Sequence, residues 1–266
     1  MFKTIKYTIC LIALGASIFQ GCKNVSENNT DTLTVCTNAT YPPYEAVNKD
    51  GSLIGFDIDL ANELSKKLNK KLFLRNMDFD SLILGLNQNK CDLIMAGLSI
   101  TSKREREIEM VQYQGDLVKT YALLFWGNTP NNIKKIEDIG NLENKTIVVQ
   151  VGTWMEEYLN TISTPFNITV KPLESISELL LDIKHGKSIA AFVETNVVAN
   201  ILKKEQALSY IEFPLPIESW NRGSGIGIKK SNRVLLKQIY DTIRDLNQSG
   251  VIKRLEKKWM ENIGKR

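Results

Sequence analysis

Two consecutive runs of alternating strands and helices constrain the fold of this chain more than any other feature of its sequence. Short apolar stretches alternate with amphipathic ones, first between residues 33 and 96 and again from residue 146 to a helix that starts at residue 195. Each run is typical of a parallel sheet whose strands are joined by crossover helices. The sequence therefore predicts an α/β fold with two lobes, each built on a parallel-dominated sheet that is flanked by helices.

The spacing of apolar residues gives the individual elements. Strands are predicted at 33–37, 71–75, 91–96, 146–150, 168–171 and 189–193, and helices at 57–68, 80–88 and 177–184 and from residues 153 and 195. Asp57 is interpreted as the N-cap of the first helix, with Asp59 in its first turn. Gly223, Gly225 and Gly227 alternate by two, which indicates a strand that passes close to another backbone.

Ligands of parallel sheets bind beyond the carboxyl ends of the strands, where the connecting loops gather. In this chain those ends are predicted at 37–38, 96–97, 150–151 and 193–194. The first two belong to the first lobe and the last two to the second. We therefore expect a ligand site that both lobes share.

The composition excludes several classes of function. The chain has 266 residues, with 34 Lys and Arg against 30 Asp and Glu, a net charge of +4. This near balance lacks the concentrated basic face by which proteins bind nucleic acids. His185 is the only histidine, so zinc sites with several histidine ligands are excluded, and the G-x-S-x-G elbow of serine hydrolases is missing. We expect no metal ion, no cofactor and no nucleic-acid partner.

The amino terminus has the layout of a secretion signal. Residues 1–21 combine Lys3 and Lys6 with an apolar stretch that is too short to span a bilayer. The stretch leads to Cys22 and resembles a bacterial lipoprotein lipobox, in which the cysteine is lipidated and becomes the first mature residue. An ordinary signal peptide cut nearby is the alternative. Residues 22–32 are mostly polar, as expected of a flexible tether from a membrane surface.

Two cysteines fall within the predicted lobes. Cys36 lies late in one predicted strand and Cys91 near the start of another. A disulfide requires Cα atoms within about 7 Å of each other, and parallel pairing staggers these two positions along the sheet. We therefore expect two buried free thiols rather than a bridge.

Six short motifs lie along the chain, most of them at the predicted strand ends and helix starts. They are TNATYPPYE at 37–45, LIGFDIDLA at 53–61, FDSLI at 79–83, DLIMAGLSIT at 92–101 with Arg104, GT at 152–153 and GVIKRLEKKW at 250–259. In order and spacing they resemble the bacterial extracellular solute-binding proteins of family 3, the amino-acid-binding proteins of ABC importers. The arginine and other basic amino-acid binders look most similar. The resemblance covers residues 33–260 and implies a two-lobed periplasmic-binding-protein (venus flytrap) fold with a two-strand hinge.

The resemblance also implies which residues hold the ligand. Arg104 presents a planar guanidinium that suits a carboxylate, and Glu194 stands where the family uses Asp to hold the ligand's ammonium group. Tyr41 and Phe79 match the aromatic positions that enclose the ligand side chain. The helix that starts at Thr153 suits an anion. The full set of candidate ligand-binding residues is Asn38, Tyr41, Phe79, Ala96, Gly97, Ser99, Arg104, Thr153, Trp154 and Glu194.

Some of these positions depart from the family pattern or have another interpretation. Asn38 stands where members selective for basic amino acids often carry an acid, which favours a neutral polar ligand such as glutamine. Trp154 replaces a commonly smaller residue. Phe79 is alternatively a core residue, Arg104 a charge on a helix face and Glu194 the cap of the following helix.

The function that the resemblance implies is capture of a free amino acid by hinge closure and its delivery to the permease subunits of an ABC transporter. Arginine, lysine, ornithine or histidine is favoured as the ligand. The implied lobes are residues 33–117 with 223–266, and residues 118–222. The lipid anchor at Cys22 would hold the protein at the membrane of the cell envelope, in the periplasm or on the outer face. No enzymatic activity is expected, and a dehydratase-like extracytoplasmic enzyme on the same fold is the alternative.

Overall fold

The structure is a computed structural model that describes residues 31–260. The signal peptide predicted at 1–21 and the lipidation site predicted at Cys22 lie outside the described residues. Of the predicted tether at 22–32, only Asp31 and Thr32 are described, and Thr32 already belongs to the first strand.

Thirteen strands and eight α-helices make up the described part of the chain. The strands are β1 (Thr32–Thr37), β2 (Thr40–Tyr41), β3 (Glu45–Val47), β4 (Leu53–Ile54), β5 (Lys71–Asn76), β6 (Leu93–Ile94), β7 (Glu109–Gln114), β8 (Thr120–Trp126), β9 (Thr146–Gln150), β10 (Thr169–Leu173), β11 (Ala190–Glu194), β12 (Leu208–Pro214) and β13 (Ser224–Ile228). The helices are α1 (Phe56–Lys67), α2 (Leu82–Asn87), α3 (Ser102–Glu107), α4 (Trp154–Ser163), α5 (Ile176–Lys184), α6 (Thr195–Lys204), α7 (Arg233–Gln248) and α8 (Val251–Trp259).

Two five-stranded sheets form the two lobes, and they have the same arrangement. The first has the strand order β5-β1-β6-β13-β7 and the second β10-β9-β11-β8-β12. In each sheet the first three strands are parallel, and the fourth is antiparallel to both of its neighbours. The prediction of a two-lobed α/β fold with parallel-dominated sheets is confirmed.

The chain crosses between the sheets twice, from β7 to β8 and from β12 to β13. The two crossings lie side by side, because the Val118 N–H donates to the Asn221 carbonyl at 2.9 Å. Gly223 lies so close to β7 that an added Cβ would be 2.4 Å from the Gln114 carbonyl oxygen. The close approach to another backbone that the glycine repeat predicted is thus confirmed at Gly223. Gly225 instead packs against the Ile100 side chain. The lobe boundaries near 117 and 222 stay a proposal, with these crossings as the hinge.

The start of α1 differs from the prediction. Gly55 is the N-cap, and the Phe56 and Asp57 N–H groups donate to the Pro43 and Tyr44 carbonyls, both at 3.0 Å. The interpretation of Asp57 as N-cap is therefore wrong. Its carboxylate is buried and accepts hydrogen bonds from the Gly97 N–H and the Tyr113 hydroxyl, which lie far away in sequence.

Cys36 and Cys91 form a disulfide, so the expectation of free thiols is wrong. Their Cα atoms are 5.7 Å apart. The predicted stagger assumed an extended strand from residue 91, but β6 holds only Leu93 and Ile94, and the chain before it is not extended. Asp92 bonds to both backbone groups of Thr34 and brings its neighbour Cys91 against β1.

Loss of the disulfide is expected to lower the free energy of unfolding by about 2–5 kcal/mol, because the bridge closes a long loop in the unfolded chain. The two cysteines are separated by 55 positions. Urea unfolding of the Cys36→Ala/Cys91→Ala variant measures the effect, with the reduced natural chain as the matched control. Equal unfolding midpoints for the oxidised and the reduced natural chain would contradict the bridge.

Candidate functional site

A cavity lies between the two lobes, at the carboxyl ends of the parallel strands. All of the predicted site residues except Asn38 line it, and Gln150 and Met155 are additional lining residues. The lining residues are Tyr41, Phe79, Ala96, Gly97, Ser99, Arg104, Gln150, Thr153, Trp154, Met155 and Glu194. The lobes contact each other beside the cavity. Gly152 of the second lobe is so close to Asp80 of the first that a Cβ added to the glycine would be 2.7 Å from the Asp80 Cα.

Glu194 is the last residue of β11 and is buried in this cavity. Its carboxylate accepts hydrogen bonds from Ser99 Oγ (2.8 Å), Trp154 Nε1 (2.7 Å) and the Tyr41 hydroxyl (3.2 Å). Although Glu194 occupies the N-cap position of α6, its side chain makes no capping bond, so the capping interpretation is wrong. Three donors from both lobes hold the carboxylate, but no cation pairs with it within residues 31–260.

Arg104 brings the opposite charge to the same cavity. It lies on the short helix α3, its side chain is buried, and its guanidinium donates to the carbonyls of Ser99 (2.8 Å) and Gly152 (3.3 Å). The guanidinium also lies 5.4 Å from the centre of the Phe79 ring. Burial lowers the pKa of Arg104 to about 10, against the attraction of nearby carboxylates, so it is a cation at neutral pH. Among the described residues no carboxylate forms an ion pair with it.

The first turn of α4 adds hydrogen-bond donors at the cavity wall. Thr153 is the N-cap, because its hydroxyl accepts from the Glu156 N–H and donates to the Gln150 carbonyl. The backbone N–H groups of Thr153 and Trp154 make no hydrogen bond within the described part of the chain. First-turn amides of a helix favour anions. The Gly152 N–H, by contrast, donates to the Glu156 carboxylate.

Asn38 is close to the cavity but does not line it. Its Nδ2 donates to the Met77 carbonyl, and its Oδ1 accepts from Thr40 Oγ1 and, across the cleft, from Gln150 Nε2 at 3.1 Å. These bonds make Asn38 a link between the lobes in this structure. Phe79 is partly buried against the core cluster around Cys36 and also borders the cavity, so both interpretations of this ring apply.

Gln150 and Met155 line the cavity but were not predicted as site residues, and Gln150 is the polar one of the two. It is buried at the end of β9, and its Nε2 also donates to the Glu174 carbonyl at 3.1 Å. A carbonyl is only an acceptor, so this bond fixes which end of the amide is nitrogen. The Gln150 Oε1 then has no donor among the described residues. The signal for this residue was its position at a predicted strand end.

No group of three or more His, Cys, Asp or Glu side chains among the described residues is arranged to hold a metal ion. None of the helices between residues 31 and 260 has the length and apolarity needed to cross a membrane.

Comparisons with known proteins agree with this geometry. The family model of the bacterial extracellular solute-binding proteins, family 3, matches residues 33–262. ArtJ of Chlamydia trachomatis, a probable ABC transporter arginine-binding protein, is 37% identical over 240 residues, which cover 90% of each chain. An ancestral arginine-binding protein bound to arginine superimposes with a TM-score of 0.77 at 28% identity, over 86% of this chain and 98% of that one. The ancestral amino acid-binding protein AncCDT-1, a precursor of cyclohexadienyl dehydratase, gives a TM-score of 0.76 at 26% identity, over 87% and 96%.

Proposed function

Since this chain belongs to the bacterial extracellular solute-binding proteins of family 3, we propose that its interlobe cavity binds a free amino acid by both charged ends. One observation carries the proposal: Arg104 and Glu194 are buried in the same cavity, and neither has an ion-pair partner within residues 31–260. Buried charges are costly unless they are paired. A ligand with a carboxylate for Arg104 and an ammonium group for Glu194 supplies both partners at once.

The carboxylate of the ligand also accepts hydrogen bonds from the free backbone N–H groups of Thr153 and Trp154. The ammonium group of the ligand lies beside the hydroxyls of Ser99 and Tyr41, which donate to Glu194. Donors and acceptors are thus divided between the two ends of an amino acid. Because these groups come from both lobes, a bound ligand stabilises the closed arrangement.

Three exposed carboxylates outside the cavity lining favour a basic side chain on the ligand. Asp78 and Asp80 of the first lobe lie near Glu174 of the second, and partial desolvation together with these two carboxylates and Glu178 raises the pKa of Glu174. A cation between the lobes relieves this repulsion. The unpaired Oε1 of Gln150 accepts from a ligand N–H group. Arginine, which the names of ArtJ and of the ancestral protein specify, meets both requirements.

We further propose that the closed protein delivers its ligand to the permease subunits of an ABC transporter and performs no chemistry of its own. The family is extracellular by description, and a lipid anchor at Cys22 after cleavage of residues 1–21 would keep this member at the membrane. The similarity to AncCDT-1, a precursor of a dehydratase, makes a dehydratase the alternative function. Dehydration of a cyclohexadienyl substrate by the purified protein would favour that alternative.

A thermal-shift screen of the purified protein against the twenty amino acids plus ornithine tests the proposed function. Binding to the native state raises the melting temperature by mass action. Arginine, lysine, ornithine or histidine is expected to give the largest rise. A largest rise with glutamine would support a neutral polar ligand, and the absence of any rise would contradict amino-acid binding.

The Gln150→Leu variant is expected to lower the ratio of the affinities for arginine and norleucine by at least about tenfold. Arginine loses one hydrogen bond from a charged group, which contributes roughly 1.5–3 kcal/mol, whereas norleucine has an apolar side chain and loses none. The lost contacts with Asn38 weaken closure for both ligands and therefore cancel in the ratio. Calorimetric titration measures both constants. An unchanged ratio would remove Gln150 from the side-chain site.

A further inference from the structure

Two buried carboxyl groups lie together beneath the cavity floor, outside the set of residues that touch it. Glu45 and Asp57 are both fully buried. Neither carboxyl oxygen of Glu45 meets an N–H or hydroxyl donor among the described residues, and its polar neighbour is the Asp57 carboxyl group. Two ionised carboxylates in contact in a dry interior repel each other strongly. The pair therefore holds a proton, with Glu45 donating to Asp57.

Asp57 connects this pair to the cavity. Its Oδ2 accepts from the Gly97 N–H at 2.7 Å, and the Tyr113 hydroxyl donates to the same carboxylate at 2.7 and 2.9 Å. Gly97 lines the cavity with φ at +54°. An added Cβ there would be 3.2 Å from the Tyr41 ring and 3.3 Å from the Tyr44 ring. The position of Gly97 thus determines where Tyr41, a donor to Glu194, lies.

We propose that Glu45 and Asp57 are positioning residues, and that the proton they share keeps the Gly97 loop and the Tyr41 ring in the arrangement that binds the ligand. The inference rests on the proposed function. It assigns a role to a pair that touches no ligand. The role predicts that affinity for the amino acid falls when the pair loses its proton.

The surroundings of the pair set the sign of the pH dependence. The titratable groups that face it are Tyr113 from β7, Tyr44 from the segment before β3 and Tyr41 from β2. No lysine, arginine or histidine among the described residues pairs with either carboxyl group. Burial raises the pKa of Asp57 to about 6, and burial followed by the Asp57 charge raises that of Glu45. Asp57 therefore ionises first, at about pH 6, and Glu45 keeps the shared proton above that pH. The arrangement is lost when Glu45 ionises as the pH rises further.

The decisive variant is Glu45→Gln, which keeps a donor toward Asp57 at every pH. The dissociation constant for L-arginine and the amide proton shift of Gly97 in the ligand-free protein are measured between pH 7 and 10. In the natural chain we expect affinity to fall about tenfold across this range while the Gly97 amide resonance moves. In Glu45→Gln we expect both quantities to remain near the natural values at pH 7. The variant also corrects for titration of the ligand's own amino group.

Asp57→Ala is expected to weaken binding at least tenfold and to abolish the downfield Gly97 shift. Asp59→Asn is the matched control in the same helical turn, because Asp59 bonds to Trp259 Nε1 at 2.7 Å and not to Gly97. It is expected to leave affinity unchanged. A natural chain whose affinity and Gly97 shift are flat with pH, or a Glu45→Gln variant with the same slope, would overturn the inference. If the natural chain binds no amino acid, the proposed function fails, and the Gly97 shift still tests the pair.

Discussion

Arg104→Ala is expected to weaken binding of L-arginine by about 2–5 kcal/mol, because the ligand carboxylate is then buried without its cation. The guanidinium is fixed by the Ser99 and Gly152 carbonyls, so the natural site holds it in place before the ligand arrives. Calorimetric titration of the folded variant measures the loss.

Two control variants separate the charge from the shape and from the helix. Arg104→Lys keeps a positive charge but lacks the planar pair of donors, so its affinity is expected to lie between those of the natural chain and Arg104→Ala. Arg106→Ala removes an exposed arginine from the same helix and is expected to bind normally. Near-natural affinity of Arg104→Ala would remove this residue from the carboxylate site.

Glu194→Gln is expected to cost a similar 2–5 kcal/mol in ligand affinity, because it deletes the charge that pairs with the ammonium group. The substitution keeps the size of the side chain but brings an NH₂ group among donors from Ser99, Trp154 and Tyr41. Glu194→Asp keeps the charge and is expected to retain most of the affinity. Equal affinities of the natural chain and Glu194→Gln, measured by the same titration, would show that the ammonium group binds elsewhere.

The parts of the fold that the sequence predicted are those that follow from local periodicity. The strand Thr146–Gln150 was predicted with its observed bounds, because a buried parallel strand is a short apolar run with clear ends. The antiparallel strands β7, β8 and β12 were not predicted as strands. Their positions depend on pairing between distant segments, such as β12 with β8, which no local pattern encodes.

The site was predicted through the ends of the strands and the motifs around them. Glu194 and Thr153 border one cavity because parallel strands gather their carboxyl ends. Gln150 was missed as a site residue since a strand-end amide gives no charge signal. The disulfide and the role of Asp57 were predicted wrongly for a related reason: each depends on how a segment bends after its strand or helix start, which sequence periodicity does not specify.

The central claim is that the cavity recognises both charged ends of a free amino acid, and three arginine derivatives test it directly. Calorimetric titration of the natural chain with L-arginine, agmatine and Nα-acetyl-L-arginine compares the intact ligand with one lacking the carboxylate and one lacking the ammonium group. The charge pairs at Arg104 and Glu194 predict that L-arginine binds and that each derivative binds at least a hundredfold more weakly. Agmatine or the acetylated derivative binding as tightly as L-arginine would contradict the claim.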